Sequence, residues 1–355
     1  MSLMTLQILR SLNLLPFNGR FSCDVQVGAG QSARSFFGVD QQTGVQVHVK
    51  VLISPRSACE AARFQNEAFA LQKIGEYPVG GNVPKFVAYE KLLDGEVQFL
   101  VTERADGMTV ASWLEKEWEH ASADQRLEVF HRVAASLSPG CTLFTHRDLH
   151  PENILLLNRS PVWDTNLPDP AVLVLDWGQA YSPLLAGFED SPEFALVLHD
   201  RVPKEIIGSF YALPPDVFYS QSDALNHPAK HDAWSLGLLL HRILTGRSLL
   251  SFKSIGEFVE NCRSGSLEQI LMQATQEIKL LDYPASLVLA GLFERLTSIR
   301  PGQRFAPAIA GRVMWDIRIE QFNPANPIAA AQYIENPNDY EPEDGWRFSI
   351  HPDYD

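Results

Sequence analysis

A chain of 355 residues, 45% hydrophobic and 20% charged, holds enough apolar side chain for one large core or for two lobes around a cleft. Its formal net charge of −14 opposes binding to a polyphosphate backbone, because such affinity comes mainly from lysine and arginine. Nucleic acid is therefore excluded as an expected partner.

In chain order, Met1-Ser2-Leu3 ahead of Met4 reads as a leader without functional weight, and residues 1–20 as an N-terminal extension. Arg10 and Asn13 interrupt the apolar residues there, and the later apolar run at 236–240 stops at His241-Arg242. Neither supports a signal peptide or a membrane span, so a cytoplasmic protein is expected. Residues 21–104 are strand-rich, with alternation in Asp24-Val-Gln-Val-Gly, Val45-Gln-Val-His-Val-Lys-Val and Val97-Gln-Phe-Leu-Val-Thr. One helix interrupts them at 58–74, where Ala62, Phe64, Ala68, Leu71 and Ile74 recur at helical spacing.

Beyond Ala105-Asp-Gly107 helical stretches dominate, at 110–119 and 123–137, and residues 105–315 form a second, larger unit. The excursion LNRSPVWDTNLPDP at 157–170 reads as a surface hairpin loop whose Trp163 packs inward. The end of the chain, 316–355, is acidic and proline-rich and reads as a loosely docked tail or a partner-binding segment. Cys23, Cys59, Cys141 and Cys262 form no CxxC pair, so reduced, buried thiols are expected in place of a zinc site or a disulfide framework. No internal repeat is visible.

Three groups of residues carry chemistry. Gly28-Ala-Gly30-Gln-Ser-Ala33 lies between two strands, and its small residues let backbone amides approach phosphates; a plain hairpin turn is the alternative. Lys50 ends an alternating strand and needs a partner if buried; Glu67 on the helix is the favoured one and Glu60 the competitor. Phe144-Thr-His-Arg-Asp-Leu-His-Pro-Glu-Asn-Ile, followed by Val172-Leu-Val-Leu-Asp-Trp-Gly178, puts Asp148, Asn153 and Asp176 on consecutive strand edges. A metal-binding pair of His146 and His150 needs both rings on one helix face, which Pro151 argues against.

These motifs, in this order, resemble those of the protein-kinase superfamily. The resemblance implies an α+β, bilobal protein-kinase-like fold: a small β-rich N-lobe with one main helix at 21–104 and a larger, mostly helical C-lobe at 105–315. It implies ATP and Mg²⁺ as cofactors and phosphoryl transfer to serine or threonine of a protein substrate. Asp148 then orients the attacking hydroxyl, Asn153 and Asp176 hold Mg²⁺, and Lys50, fixed by Glu67, grips the nucleotide phosphates under Gly28 and Gly30. Thr102-Glu103-Arg104-Ala105 looks like the hinge that reads adenine, with Asp106 placed for the ribose. His231-Asp-Ala-Trp-Ser-Leu-Gly resembles the central buried helix, its Asp232 bonded to the catalytic-loop backbone. Pro215-Asp216 and Arg304 stand where the family has a structural acid–arginine pair.

Several departures bear on this resemblance. Ser35 and His48 replace the valine and alanine over the adenine, so His48 turns away, stacks on the base or weakens ATP binding; a strand bulge is the alternative. His150 stands as a catalytic candidate where the family usually has the lysine that neutralises the transferring phosphoryl group and, with Trp177, is similar to small-molecule kinases of the aminoglycoside and choline-kinase type. A non-catalytic pseudokinase scaffold is the third reading. Residues between Asp176 and Asp216, including Tyr181, Ser182, Ser191, Ser209 and Tyr211, look like an activation segment that docks on Arg147 once phosphorylated; the alternatives are that the acidic Glu189, Asp190 and Glu193 dock there constitutively or are simply solvated.

Overall fold

The computed structural model describes residues 2–29, 33–76, 82–140, 144–163, 169–181, 214–216, 230–283 and 285–318. Gly30, Cys141, the tail beyond Arg318 and the segment from Ser182 to Leu213 lie outside them.

The N-terminal half is built on an antiparallel sheet of β1 (Val25–Ala29), β2 (Ala33–Val39), β3 (Gln46–Ile53), β4 (Phe86–Leu92) and β5 (Val97–Glu103), in the order β1-β2-β3-β5-β4. Strand parity sends alternate side chains of β3 to opposite faces. Val47, Val49 and Val51 are buried in one cluster with Phe36, Val97, Phe99 and Val101. Leu9 of α1 (Ser2–Ser11) and Phe17 complete that cluster, Phe17 stacking on Phe99 at 4.4 Å. The residues read as an N-terminal extension thus cover the outer face of the sheet.

Leu52 belongs to the opposite cluster, with Phe64, Ala68 and Leu71 of α2 (Ala58–Gly75). The Ser57 hydroxyl accepts from the N–H of Glu60, and Glu60 in turn accepts from the N–H of Arg56, a reciprocal cap that fixes the start of α2. Strand β4 was not apparent in the sequence, because its residues are half-buried or exposed and show no apolar alternation.

The C-terminal half is mostly helical. After β6 (Gly107–Thr109) come α3 (Val110–Lys116) and α4 (Ala123–Gly140), then β7 (Ile154–Leu157) and β8 (Val172–Val174), which join β6 in a small sheet. Helix α3 is shorter than the expected 110–119, ending in a separate 3-10 turn at Trp118–His120. Trp163 packs as expected, its ring stacked on that of His131 at 4.2 Å and 5°.

Helices α5 (His231–Thr245), α6 (Ile255–Ser264), α7 (Ser266–Leu280), α8 (Ser286–Leu296) and α9 (Pro307–Arg318) follow. Helix α5 is buried on nearly every side. A Cβ at its Gly237 would sit 2.5 Å from Thr297 Cγ2 and 3.0 Å from Leu296 Cβ, so only glycine lets α8 approach this closely. Among the described cysteines Cys23 and Cys262 are buried thiols, whereas Cys59 is only half-buried, correcting the uniform expectation. No helix among the described residues is long and apolar enough to cross a membrane.

Candidate active site

The cleft between the two halves is organised by Lys50. Its Nζ lies 2.6 Å from Glu67 Oε2 and 3.1 Å from Asp176 Oδ1, joining β3, α2 and the turn after β8. Burial works against the ammonium, yet Asp176 and Glu67 together outweigh it and its pKa is raised. Burial pushes Glu67 up to about 7 despite the attraction of Lys50, while Lys50 holds Asp176 below its ordinary value. Glu60 is not the partner: its carboxylate caps α2 and pairs with Arg56 at 2.9 Å.

Asn66, beside Glu67, went unremarked in the sequence. It is fully buried, and its Nδ2 donates to the carbonyls of Gly178 (3.1 Å) and Ala180 (2.9 Å). This seats α2 against the turn that carries Asp176. The available signal was an asparagine, beside Glu67, among the apolar residues of the helix's inward face.

The catalytic-type loop is held from below by Asp232. Its carboxylate accepts from the backbone N–H groups of His146 (2.6 Å) and Arg147 (2.8 Å). These bonds satisfy a buried charge and fix Arg147 at φ 67, a left-handed conformation that costs energy in a non-glycine residue. His146 is buried, one ring nitrogen on Leu175 O at 2.8 Å and the other accepting from Asp148 N–H at 3.2 Å, and it meets Trp177 edge-on at 4.7 Å. With both nitrogens engaged it forms no metal pair with His150.

Asp148 faces the cleft. Burial raises its pKa, only partly offset by His150 and His146, and Gln179 supplies a hydrogen bond that the sequence reading missed. His150 Nε2 lies 3.8 Å from Asp148 Oδ1, and its Nδ1 lies 2.8 Å from Glu152 Oε2. Asn153 sits in the turn Pro151–Asn153 that opens β7, and its carbonyl accepts from Leu175 N–H at 2.8 Å, just before Asp176.

The nucleotide-side residues are placed as follows. Gly28 lies one residue before the end of β1, opposite Ser35 and next to a register shift between Gln26 and Gly28. Strand β3 pairs with β2 and β5 in unbroken register, which rules out the bulge considered for His48. His48 shares the Lys50 face and meets Phe37 edge-on at 6.1 Å; burial, then the charge of Lys50, lowers its pKa to about 4, so the ring is neutral. It does not turn away from the cleft. His48→Ala is therefore expected to tighten nucleotide binding about fivefold, roughly 1 kcal/mol of relieved crowding, in calorimetry with a non-hydrolysable ATP analogue. Weaker binding would show instead that the ring stacks on the base.

At the hinge, Glu103 N–H donates to Lys85 O and Arg104 N–H to Gln46 O, so Ala105 supplies the candidate amide for a base. Glu103 also pairs with Lys85 at 2.6 Å. Asp106 is engaged by Arg104 at 2.8 Å, and that guanidinium lies over Phe37 at 4.2 Å, so a ribose would have to share Asp106 with Arg104.

No group of three or more His, Cys, Asp or Glu among the described residues could hold a metal by itself. One amide and one carboxylate, Asn153 and Asp176, are hard oxygen donors suited to a Mg²⁺ ion that completes its shell with phosphate and water. Arg147 lies over the Tyr181 ring at 4.8 Å, and Thr145 and Tyr181 exchange backbone hydrogen bonds of 2.8 Å. The rest of the segment expected to dock there lies outside the described residues.

A five-stranded lobe with a lysine–glutamate pair inside it, and a helical lobe with a clamped His-Arg-Asp loop, define a kinase-type fold. The family model described as protein kinase domain matches residues 21–313, and the chain belongs to that family. It is 25% identical over 236 residues to a protein of Lactococcus lactis named as the probable serine/threonine-protein kinase PknB, 65% of this chain and 32% of that one. It is 29% identical over 154 residues to serine/threonine-protein kinase unc-51 of Caenorhabditis elegans, covering 42% and 15%. With calcium-dependent protein kinase 5 of Plasmodium falciparum it shares 22% identity over 241 residues, covering 68% and 36%. The matched region thus spans about a third or less of each of these relatives.

Proposed function

We propose that the protein transfers the γ-phosphoryl group of Mg-ATP to serine or threonine of a protein substrate. The observation that carries the reading is Lys50 set between Glu67 and Asp176. Lys50 is poised to bind the nucleotide phosphates, and Ala105 and the Glu103 carbonyl to orient the base. Gly28 and Gly30 would line the phosphates from above, with Asn153 and Asp176 holding the metal. When bound, Mg²⁺ neutralises charge on the phosphates. Asp148 orients the acceptor hydroxyl and takes its proton, and its raised pKa brings it closer to the working range of a general base.

A protein acceptor is favoured over a small molecule by Asp232, whose two bonds to the loop belong to the protein-kinase resemblance. The relatives named as serine/threonine kinases point the same way. His48 in the roof is the one observation that favours a scaffold with little nucleotide affinity. The test is incubation with γ-labelled ATP and Mg²⁺ alongside generic protein acceptors and, separately, aminoglycosides and choline. Label on protein serine or threonine is expected. Label on a small molecule alone, or on nothing, contradicts the proposal.

A further inference from the structure

We propose that His150, held by Glu152, is a positioning residue that fixes the Asn153 amide with its oxygen presented to the metal. This rests on the reading of the cleft as a Mg–nucleotide site. The amide orientation follows from its neighbours. Asn153 Nδ2 lies 3.0 Å from the backbone carbonyl oxygen of Asp148. A carbonyl only accepts, so the nitrogen of the amide and not its oxygen must face it.

The same Nδ2 lies 3.0 Å from His150 Nε2, where its second hydrogen is donated. That ring nitrogen must carry a lone pair, which puts the imidazole proton on Nδ1. Glu152 Oε2, 2.8 Å away, accepts it there. The result is a directed chain: Glu152 selects the His150 tautomer, His150 takes one amide hydrogen, and the Asp148 carbonyl takes the other. With both amide hydrogens engaged, Oδ1 is the atom that Asn153 presents to a cation, and the partners behind a ligand govern how well it binds metal.

A lysine cannot do this. An ammonium has three donors and no acceptor, so the lysine usual in the family at position 150 leaves the amide held by the Asp148 carbonyl alone. Glutamine can, because its side-chain oxygen accepts. Glutamine and alanine are both uncharged and only glutamine accepts, so comparing these two substitutions isolates the acceptor at position 150.

The probe is Mn²⁺ added to the full chain with a non-hydrolysable ATP analogue, free metal being followed by its paramagnetic resonance signal. Affinity for the analogue without metal and the ligand-free melting temperature are measured alongside. His150→Ala is expected to weaken Mn²⁺ binding about tenfold or more while leaving metal-free analogue binding unchanged. His150→Gln is expected to stay close to wild type. Equal losses for glutamine and alanine, or an alanine variant that binds Mn²⁺ as well as wild type, overturn the positioning role. A wild-type chain that binds neither the analogue nor Mn²⁺ overturns the nucleotide-site reading, and the role of His150 with it; the wild-type arm thus distinguishes the two failures.

Discussion

Asp148→Asn is expected to lower phosphoryl transfer by about 10²–10⁴-fold, the usual worth of a positioned acid–base group. Asparagine keeps the size of the side chain and can still accept a hydrogen bond from Gln179, but it cannot take a proton. The loop itself is held by other residues: Asp232 grips the N–H groups of His146 and Arg147, and His146 packs under Trp177. Melting temperature and Mg-ATP affinity should therefore stay near wild type while turnover collapses. Transfer within about tenfold of wild type would remove Asp148 from the role of base.

The largest loss of stability is expected from Arg304→Met. The Arg304 side chain is fully buried, and one guanidinium joins three places in the C-terminal half. It donates to Asp216 Oδ1 at 2.6 Å, to Ser298 O at 3.0 Å and to Lys230 O at 3.2 Å, just ahead of α5. Removing it strands the Asp216 carboxylate away from water and takes the donor from two part-buried carbonyls. Breaking one side of such a buried pair costs about 3–5 kcal/mol, a fall of roughly 10 °C in melting temperature for a domain of this size. The double replacement Arg304→Met with Asp216→Leu should recover part of that loss, because no buried charge is then left alone. A single variant that melts within about 2 °C of wild type contradicts this account.

Residues whose role depends on a local pattern were legible in the sequence. The alternation of β3 marked the strand that carries Lys50, although that strand runs on to Ile53 and Lys50 is not at its end; the apolar face of α2 pointed Glu67 inward, and the spacing of Asp216 and Arg304 within the resemblance anticipated their bridge at 2.6 Å. Choosing between Glu60 and Glu67 needed the structure, since only there does Glu60 close a cap with Arg56 and Ser57. His48 also needed it: the sequence left three fates and a bulge open, and continuous register on both sides of β3 put its ring on the cleft face.

What stayed hidden depends on contacts distant in sequence. Asn66 binds carbonyls more than a hundred positions away, and no spacing rule announces that. The cover that α1 and Phe17 give the sheet depends on Phe99, Val47 and Val101 forming an apolar face, while β4 lacks the apolar alternation that would have marked it. His150 was readable as a departure from the usual lysine, but not as the acceptor for the Asn153 amide, which takes coordinates to see.

The cleft reading rests on Lys50 for the nucleotide and on Asn153 and Asp176 for the metal. Thermal unfolding of the full chain with ATP, with and without Mg²⁺, tests it most directly. Ligand present at about a hundredfold above its dissociation constant adds about 2.7 kcal/mol, so Mg-ATP at millimolar concentration should raise the melting temperature by about 5 °C. ATP without Mg²⁺ should raise it less. An unchanged melting temperature with Mg-ATP at that concentration would contradict the account and leave a kinase fold that does not use its cleft for nucleotide.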